Sequence, residues 1–388
     1  MIRETHRVLF INPAAERGGG EVILLNLLRH FPTQNWHKEV VLLSHGSIAT
    51  ELRALGIRTY VIPAGRFRQP LHLIRAVWHI ARLARIREVS LIDSAGAKGH
   101  IYGGLAALMT GVPAVWRIQD ISPSSNVWLR LAAIVPAAGL VALSRETLDA
   151  YERLHKLPKV VEIVYPGVDA DTLLPKPTSD ELSLHEELHI PSNRHIVTVV
   201  GRLQKGKGQH IFLEAAATVL EHHRDAHFLI VGAALFGIET EYPDQLHQLV
   251  EKKRLSAHVS FTGQRHDVGR IIAASDILVQ PSLVQEAFGY AAVEGMFLGK
   301  AVIASASGGP LEIMSDGVDG LLVPPGDVNA LAHAILALLD DPARRDRLGQ
   351  AAMLTVRERF TVERMAAEFI HFYERILSNG GNHSPKGT

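Results

Sequence analysis

Two blocks of the chain alternate short β-rich runs with helical stretches, and a proline-rich interval separates them. In the first block the runs fall at 7–12, 39–43, 59–62, 90–93, 114–118 and 139–143. In the second they fall at 195–200, 226–231, 259–262, 277–280, 301–305 and 320–323. Helical spacing fills most of the gaps: 21–31 places Val22, Leu25 and Leu28 on one face, and 209–222, 244–253 and 329–339 serve the second block. Parallel strands need a crossover of a dozen or more residues, which a helix supplies. The alternation therefore predicts an α/β chain whose parallel sheets carry helices on both faces. The interval 166–191 holds Pro166, Pro175, Pro177 and Pro191 among polar residues and reads as an interdomain linker. The whole reads as two doubly wound domains facing across a cleft, with ligands outside the carboxyl ends of the strands. A final helix is expected over 361–377, and 378–388 reads as a disordered tail.

Composition agrees and excludes other classes. The 388 residues suit two domains of about 190 each. Hydrophobic residues at 47% and charged residues at 21% rule out collagen-like, coiled-coil and wholly disordered chains. Forty basic residues balance forty acidic ones, so whole-chain charge makes no case for a nucleic-acid partner. With no cysteine there is no disulfide, thiolate metal site or Cys nucleophile. No stretch reads as a signal peptide. The apolar run 127–143 is interrupted by Arg130, Pro136 and Gly139 and is shorter than the roughly 20 residues a span needs, so it reads as helix, turn and strand. A cytoplasmic protein is expected.

The neutral total hides an asymmetry. Residues 1–180 carry 21 Lys/Arg against 15 Asp/Glu, and 181–388 carry 19 against 25. Residues 57–87 hold seven arginines and no acid. Within them 71–87 has helical spacing, with Leu73, Val77, Ile80 and Leu83 on one side and Arg66, Phe67 and Arg68 just before. The stretch reads either as a helix packed on the sheet with solvated arginines, or as a basic face over 66–87 for peripheral contact with an anionic membrane or acceptor.

Two motifs carry chemistry. Gly201-Arg202-Leu203-Gln204-Lys205-Gly206-Lys207-Gly208 lies between a strand and a helix. Its glycines let backbone approach a ligand, the helix start favours an anion, and Arg202 and Lys207 add cations, a set that suits a diphosphate. It is neither a Walker loop nor a dinucleotide fingerprint. Glu286 and Glu294 are eight residues apart. On one helix they would be about 80° and about 12 Å apart, too far to share a small target. Glu286 is therefore expected on a loop and Glu294 about two turns into a helix, with Phe288, Gly289 and Tyr290 starting that helix and offering free N–H groups.

These residues and others resemble glycosyltransferase family 4, the retaining transferases of the GT-B fold. Gly18-Gly19-Gly20-Glu21 is similar to its GGxE turn, and Tyr165-Pro166-Gly167-Val168-Asp169 to the motif that opens its linker. Gly201-Arg202-Leu203…Lys207-Gly208, Phe261-Thr262-Gly263 and Glu286…Glu294 resemble GRLxxxKG, FxG and E-x7-E. Gly308-Gly309-Pro310-Leu311-Glu312 and Asp316-Gly317…Gly326-Asp327 resemble the last two. The resemblance runs over about 8–377 and implies domains at 1–170, with the crossover helix 361–377, and at 171–360. It implies that Arg202 and Lys207 hold the diphosphate of an NDP-sugar and Glu286 its sugar hydroxyls. Glu294 would hold the ribose, and the Phe288, Gly289 and Tyr290 amides the sugar and phosphates. Gly18 and Gly19 would reach the phosphate. Gln119 stands where the family commonly has a His, so it can bind a sugar but cannot relay a proton near neutral pH. The resemblance implies metal-independent transfer, with the NDP-sugar a substrate and no cofactor, to a glycan or lipid-linked acceptor of the cell-surface polysaccharide or lipopolysaccharide type. An NDP-sugar epimerase and a non-catalytic binding module are the alternatives.

Two patterns are read as incidental. His185-Glu186-Glu187-Leu188-His189 matches H-E-x-x-H, but Pro191-Ser192-Asn193 replaces the glycine turn toward a third ligand at His195, and the segment reads as a solvated helix. Asp169 and Asp171 in the linker make a poor divalent-cation site.

Overall fold

The computed structural model of the protein describes residues 5–16, 18–65, 70–121, 127–153, 157–174, 182–234, 237 and 239–380. Arg66, Phe67, Arg68 and most of the tail lie outside them. The chain divides into two compact units, 1–167 with 362–388, and 168–361.

The first unit is built on β1 (His6–Asn12), β2 (Trp36–Leu42), β3 (Arg58–Val61), β4 (Leu91–Ala95), β5 (Ala114–Ile118), β6 (Gly139–Ala142) and β7 (Val161–Ile163). All pair in parallel in the order β3-β2-β1-β4-β5-β6-β7. The central strands are buried along both faces, as a sheet covered on both sides requires. The strand order reverses between β1 and β4, so the loops after β1 and β4 flank the place where such sheets bind ligands. On one face the helices Pro70–Ile86 and Gly96–Thr110 pack over β1, β2 and β4. The final helix, Val362–Gly380, brings Phe369, Phe372 and Tyr373 into full burial, with Tyr373 among the rings of Phe10, Phe31 and Trp36.

The second unit repeats the scheme with β8 (His195–Val200), β9 (Ala226–Val231), β10 (Val259–Gly263), β11 (Ile277–Gln280), β12 (Ala301–Ser305) and β13 (Leu321–Val323). The parallel order is β10-β9-β8-β11-β12-β13, reversing between β8 and β11.

Two boundaries differ from the sequence reading. Much of 166–191 packs as part of the second unit: Leu184 and Ile190 are buried with Ile196, Leu229, Val231 and Ile271. Pro175 and Pro177 lie outside the described residues. Ser378, Asn379 and Gly380 continue the last helix, so only 381–388 of the expected tail lies outside the described residues. The apolar run 127–143 is, as read, a helix, Val127–Ala132, followed by β6. No described helix is long and apolar enough to cross a membrane.

Candidate functional site

In the second unit the two motif loops meet at the strand-order reversal. Gly201 follows β8 and Gly208 ends the short turn Lys205–Lys207. Gly208 has φ +72°, and a Cβ on it would lie 1.9 Å from the Pro281 carbonyl oxygen, so only glycine lets this loop rest on the loop after β11. The contact is fastened by the Leu283 N–H, which donates to the Gly206 carbonyl at 2.8 Å. The helix Gln209–His222 starts here, and the Gln209 amide donates to the Arg202 carbonyl at 2.8 Å.

The seam brings Lys207 and Glu286 together. Lys207 Nζ donates to both carboxylate oxygens of Glu286, at 2.6 and 2.8 Å, and the Ser282 hydroxyl donates to the same carboxylate. An ammonium has three donors, so one N–H of Lys207 remains to meet an anion. Burial pushes the Glu286 carboxyl up, but the Lys207 charge and hydrogen bonds from Lys207, Ser282 and Gln280 outweigh it, and the group rests below the ordinary carboxylate value. Glu286 is on a loop, in a single bridge to Gly308, and its carbonyl accepts from the Gly309 N–H at 2.8 Å. A Cβ on Gly308 would come within 2.4 Å of that carbonyl oxygen, which explains the glycine pair.

The helix expected from Phe288 begins at Tyr290, because Gly289 takes φ +97° as its cap. Phe288 stays on the loop with its ring buried edge-on against Phe360, 5.6 Å between centroids. The N–H groups of Gly289 and Tyr290 thus stand at the helix start, as a diphosphate or sugar site needs. Glu294 is half-buried, a little over one turn into the helix rather than two.

In the first unit Gly18 caps the helix Gly19–His30 directly after the β1 loop. Gln119 lies just past β5, and its amide nitrogen sits so close to Gly20 that a Cβ there would be 2.8 Å away. Behind it runs a buried relay that the sequence reading missed. Arg117 donates through Nη1 to Gln119 Oε1 at 3.2 Å and through Nε to Asp93 at 2.9 Å. The Tyr373 hydroxyl donates to the other Asp93 oxygen at 2.7 Å. Arg117 and Asp93 are fully buried. A guanidinium only donates, so Gln119 must offer its carbonyl inward and its NH2 outward. Glu21, the acid of the glycine turn, is buried and accepts from the Asn12 amide at 3.2 Å, which gives it a structural task.

The incidental patterns have structural uses. Asp169 caps a short helix by accepting from the Asp171 N–H at 3.1 Å. In 185–189 the helix ends at Glu187, which is paired with Arg265 and Arg270 while His185 bonds the Arg194 carbonyl. Among the described residues no cluster of three or more His, Asp or Glu could hold a metal ion.

Comparison with known proteins supports the resemblance. Residues 17–172 match the profile described as Glycosyltransferase Family 4, and residues 180–354 match Glycosyl transferases group 1. Glycosyltransferase models thus match both halves of the chain, that of family 4 the first. A D-inositol 3-phosphate glycosyltransferase of Corynebacterium aurimucosum is 32% identical over 55% of this chain and 51% of its own length. An alpha-maltose-1-phosphate synthase of Mycolicibacterium smegmatis is 28% identical over 72% of this chain and 76% of its own. The chain spans about half the length of the first of these curated relatives. The Anabaena protein Alr3699/HepE, solved with UDP and glucose, superposes at TM-score 0.85 with 28% identity, over 95% of this chain and 99% of that one. The two parallel sheets are those of the GT-B fold, and Lys207 and Glu286 are in direct contact within the second unit.

Proposed function

We propose that the chain is a retaining glycosyltransferase that moves a hexose from an NDP-sugar to a hydroxyl of a glycan or lipid-linked acceptor, in cell-surface polysaccharide or lipopolysaccharide assembly. The observation that carries the reading is the Lys207–Glu286 pair at the strand-order reversal beside a helix start. UDP-glucose is the first donor to try, because HepE has been solved with it. Arg202, the remaining Lys207 N–H and the Gly289 and Tyr290 amides hold the diphosphate. Glu286 takes the sugar hydroxyls, Glu294 the ribose, Gly18 and Gly19 a phosphate, and the outward NH2 of Gln119 an oxygen of the sugar. As the bond from sugar C1 to the diphosphate oxygen breaks, negative charge grows on the leaving group, and these fixed cations and amides stabilise it without a metal ion. The acceptor oxygen attacks C1 from the face that the diphosphate leaves, and its proton passes to a leaving-group oxygen. No protein base is required. The enzyme works in the cytoplasm, peripherally at the inner face of the membrane.

A thermal melt against nucleoside diphosphates and NDP-sugars tests this. A selective ligand at 100 times its Kd adds about 2.7 kcal/mol of stability. Incubation of the bound NDP-sugar without acceptor then separates the classes: an epimerase yields a new NDP-sugar, a transferase yields slow hydrolysis, and a binding module leaves it unchanged. No shift with any nucleotide would sink the reading.

A further inference from the structure

The helix Pro70–Ile86 carries a surface unlike that of an ordinary soluble helix. Its inward side packs through Val77, Ile80 and the alanines 76, 81 and 84. Its outward side carries Leu71 at 78% exposure, Ile74 at 62%, Trp78 at 48% and Ile86 at 63%. Among these sit Arg75 and Arg82, with the Arg82 guanidinium 5.5 Å from the Trp78 ring centre. No acid occurs anywhere on the helix. The neighbouring helices add the exposed Leu108 and Leu131, and the turn after the second adds Ile134. Single exposed apolar residues are ordinary, but a contiguous set with one sign of charge marks an interaction face.

Alongside runs a groove of about 610 Å³ between this helix and the end of the edge strand β3. His72, Arg75, His79 and Arg82 line one wall, and Ile62, Pro63 and Leu83 give it an apolar floor. His72 and Arg82 are ten residues apart, about 15 Å along the helix. Among the described residues the other arginines of the run are turned elsewhere: Arg58 and Arg87 face the buried Glu39, and Arg85 bonds the Met109 carbonyl.

We infer that this groove binds the phosphate headgroup of an anionic lipid, with Leu71, Ile74 and Trp78 sunk among the acyl chains around it. This rests on the peripheral-membrane part of the proposed function and gives it a site. Charge complementarity selects the occupant. A soluble anion satisfies Arg75 and Arg82 but leaves the four apolar side chains in water. A second copy docked by a twofold axis sets the same cations against each other. A bilayer surface supplies anions and hydrocarbon together.

The test measures partition of the intact protein onto vesicles of phosphatidylcholine with and without phosphatidylglycerol. Each cation near such a surface contributes about fivefold, so Arg75→Gln with Arg82→Gln lowers partition about thirtyfold. Leu71→Ser with Ile74→Ser lowers it at least tenfold at any salt, whereas Arg224→Gln with Lys252→Gln, a charge-matched control on exposed residues of the second unit, leaves it unchanged. Lipids brominated on the acyl chain quench fluorescence in the wild type, and Trp78→Phe removes that quenching. Unchanged melting temperatures and UDP shifts show that the variants are folded. Wild-type partition that both groove variants preserve overturns the groove alone. No partition by the wild type overturns the membrane reading with it. Light scattering that finds a dimer abolished by Leu71→Ser with Ile74→Ser replaces the lipid with a second copy. A missing UDP shift speaks only to the donor reading, because vesicle partition does not depend on it.

Discussion

The two sheets share one winding but hold their polar groups at the strand-order reversal by different means. In the second unit the charged groups hold each other: Lys207 and Glu286 are joined directly, between two loops clamped by glycines. In the first unit the outermost polar group, Gln119, is held from behind, through Arg117 and Asp93 to Tyr373. A directly paired site loses transfer and local stability together when one partner goes. A site held through a relay loses precision first, because the group that meets ligand is untouched. The comparison teaches that a shared fold fixes where a site lies, not how rigidly its parts are held.

The largest break in that comparison comes from Lys207→Ala. It is expected to lower kcat/KM by about 10²–10³-fold and to weaken NDP binding, since one charge-stabilising donor typically contributes that much. It also leaves Glu286 buried without a counter-charge, held only by hydrogen bonds from Ser282 and Gln280. Without the Lys207 charge the carboxyl rises from its lowered position, so the variant loses stability relative to wild type as pH rises through the carboxylate range. Wild-type NDP affinity and turnover in Lys207→Ala would remove the second-unit half of the comparison.

Glu286→Gln and Glu294→Gln are expected to divide. The first hurts transfer by about 10²-fold while bare NDP binds nearly as before, and the second weakens both by about tenfold. Isothermal titration with NDP beside steady-state rates checks the split, which equal losses of NDP affinity would contradict.

Tyr373→Phe probes the relay. Loss of one buried hydrogen bond to a carboxylate costs about 1.5–3 kcal/mol in chemical denaturation. If the relay orients Gln119, KM for the NDP-sugar rises severalfold while bare NDP affinity stays constant; a stability loss with unchanged KM would make the relay purely structural.

Acid sharpens the contrast more gently. Burial pulls His100 in the first unit down to about 4, against a weaker opposing pull from the Val135 carbonyl. Burial, then the charge of Arg194, does the same to His227 in the second. Both are neutral when folded and take up protons when unfolded below pH 6.5, so stability falls as pH drops from about 6.5 to 4. His100→Gln and His227→Gln should each remove one part of that slope, and a slope unaltered by either would reject the assignment. The smallest expected effect is that of EDTA, which should leave transfer unchanged; loss of activity restored by Mg²⁺ or Mn²⁺ would require a metal role.

Much of this was readable in the chain. Six predicted element ranges, among them 114–118, 195–200 and 209–222, coincide with observed ones because they are bounded by proline, glycine or charge and show one clear period. The glycine loops could be read because glycine at a close approach is a local requirement. The relay could not, since Asp93 and Tyr373 are 280 residues apart and no local pattern links them. One signal was present: Arg117 lies inside the apolar run 114–118, and a cation in a buried strand demands a carboxylate. The Lys207–Glu286 contact was missed for a related reason. Each residue was assigned to a ligand by its own charge, and nothing in the spacing of 79 residues says that the two would neutralise each other.

The return of the last helix to the first unit also sets an order of assembly. Phe369, Phe372 and Tyr373 fill the core around Phe10, Phe31 and Trp36, so the first half of the polypeptide leaves the ribosome without the piece that closes it. At about 5–20 residues per second, roughly 10–40 s pass between the synthesis of Gly167 and that of Tyr373. Residues 168–361, whose ends are joined by the Val168 N–H bond to the Phe360 carbonyl, are complete before then. The half made first is therefore the half finished last, and until the helix arrives it presents an open aromatic pocket to any chaperone in reach.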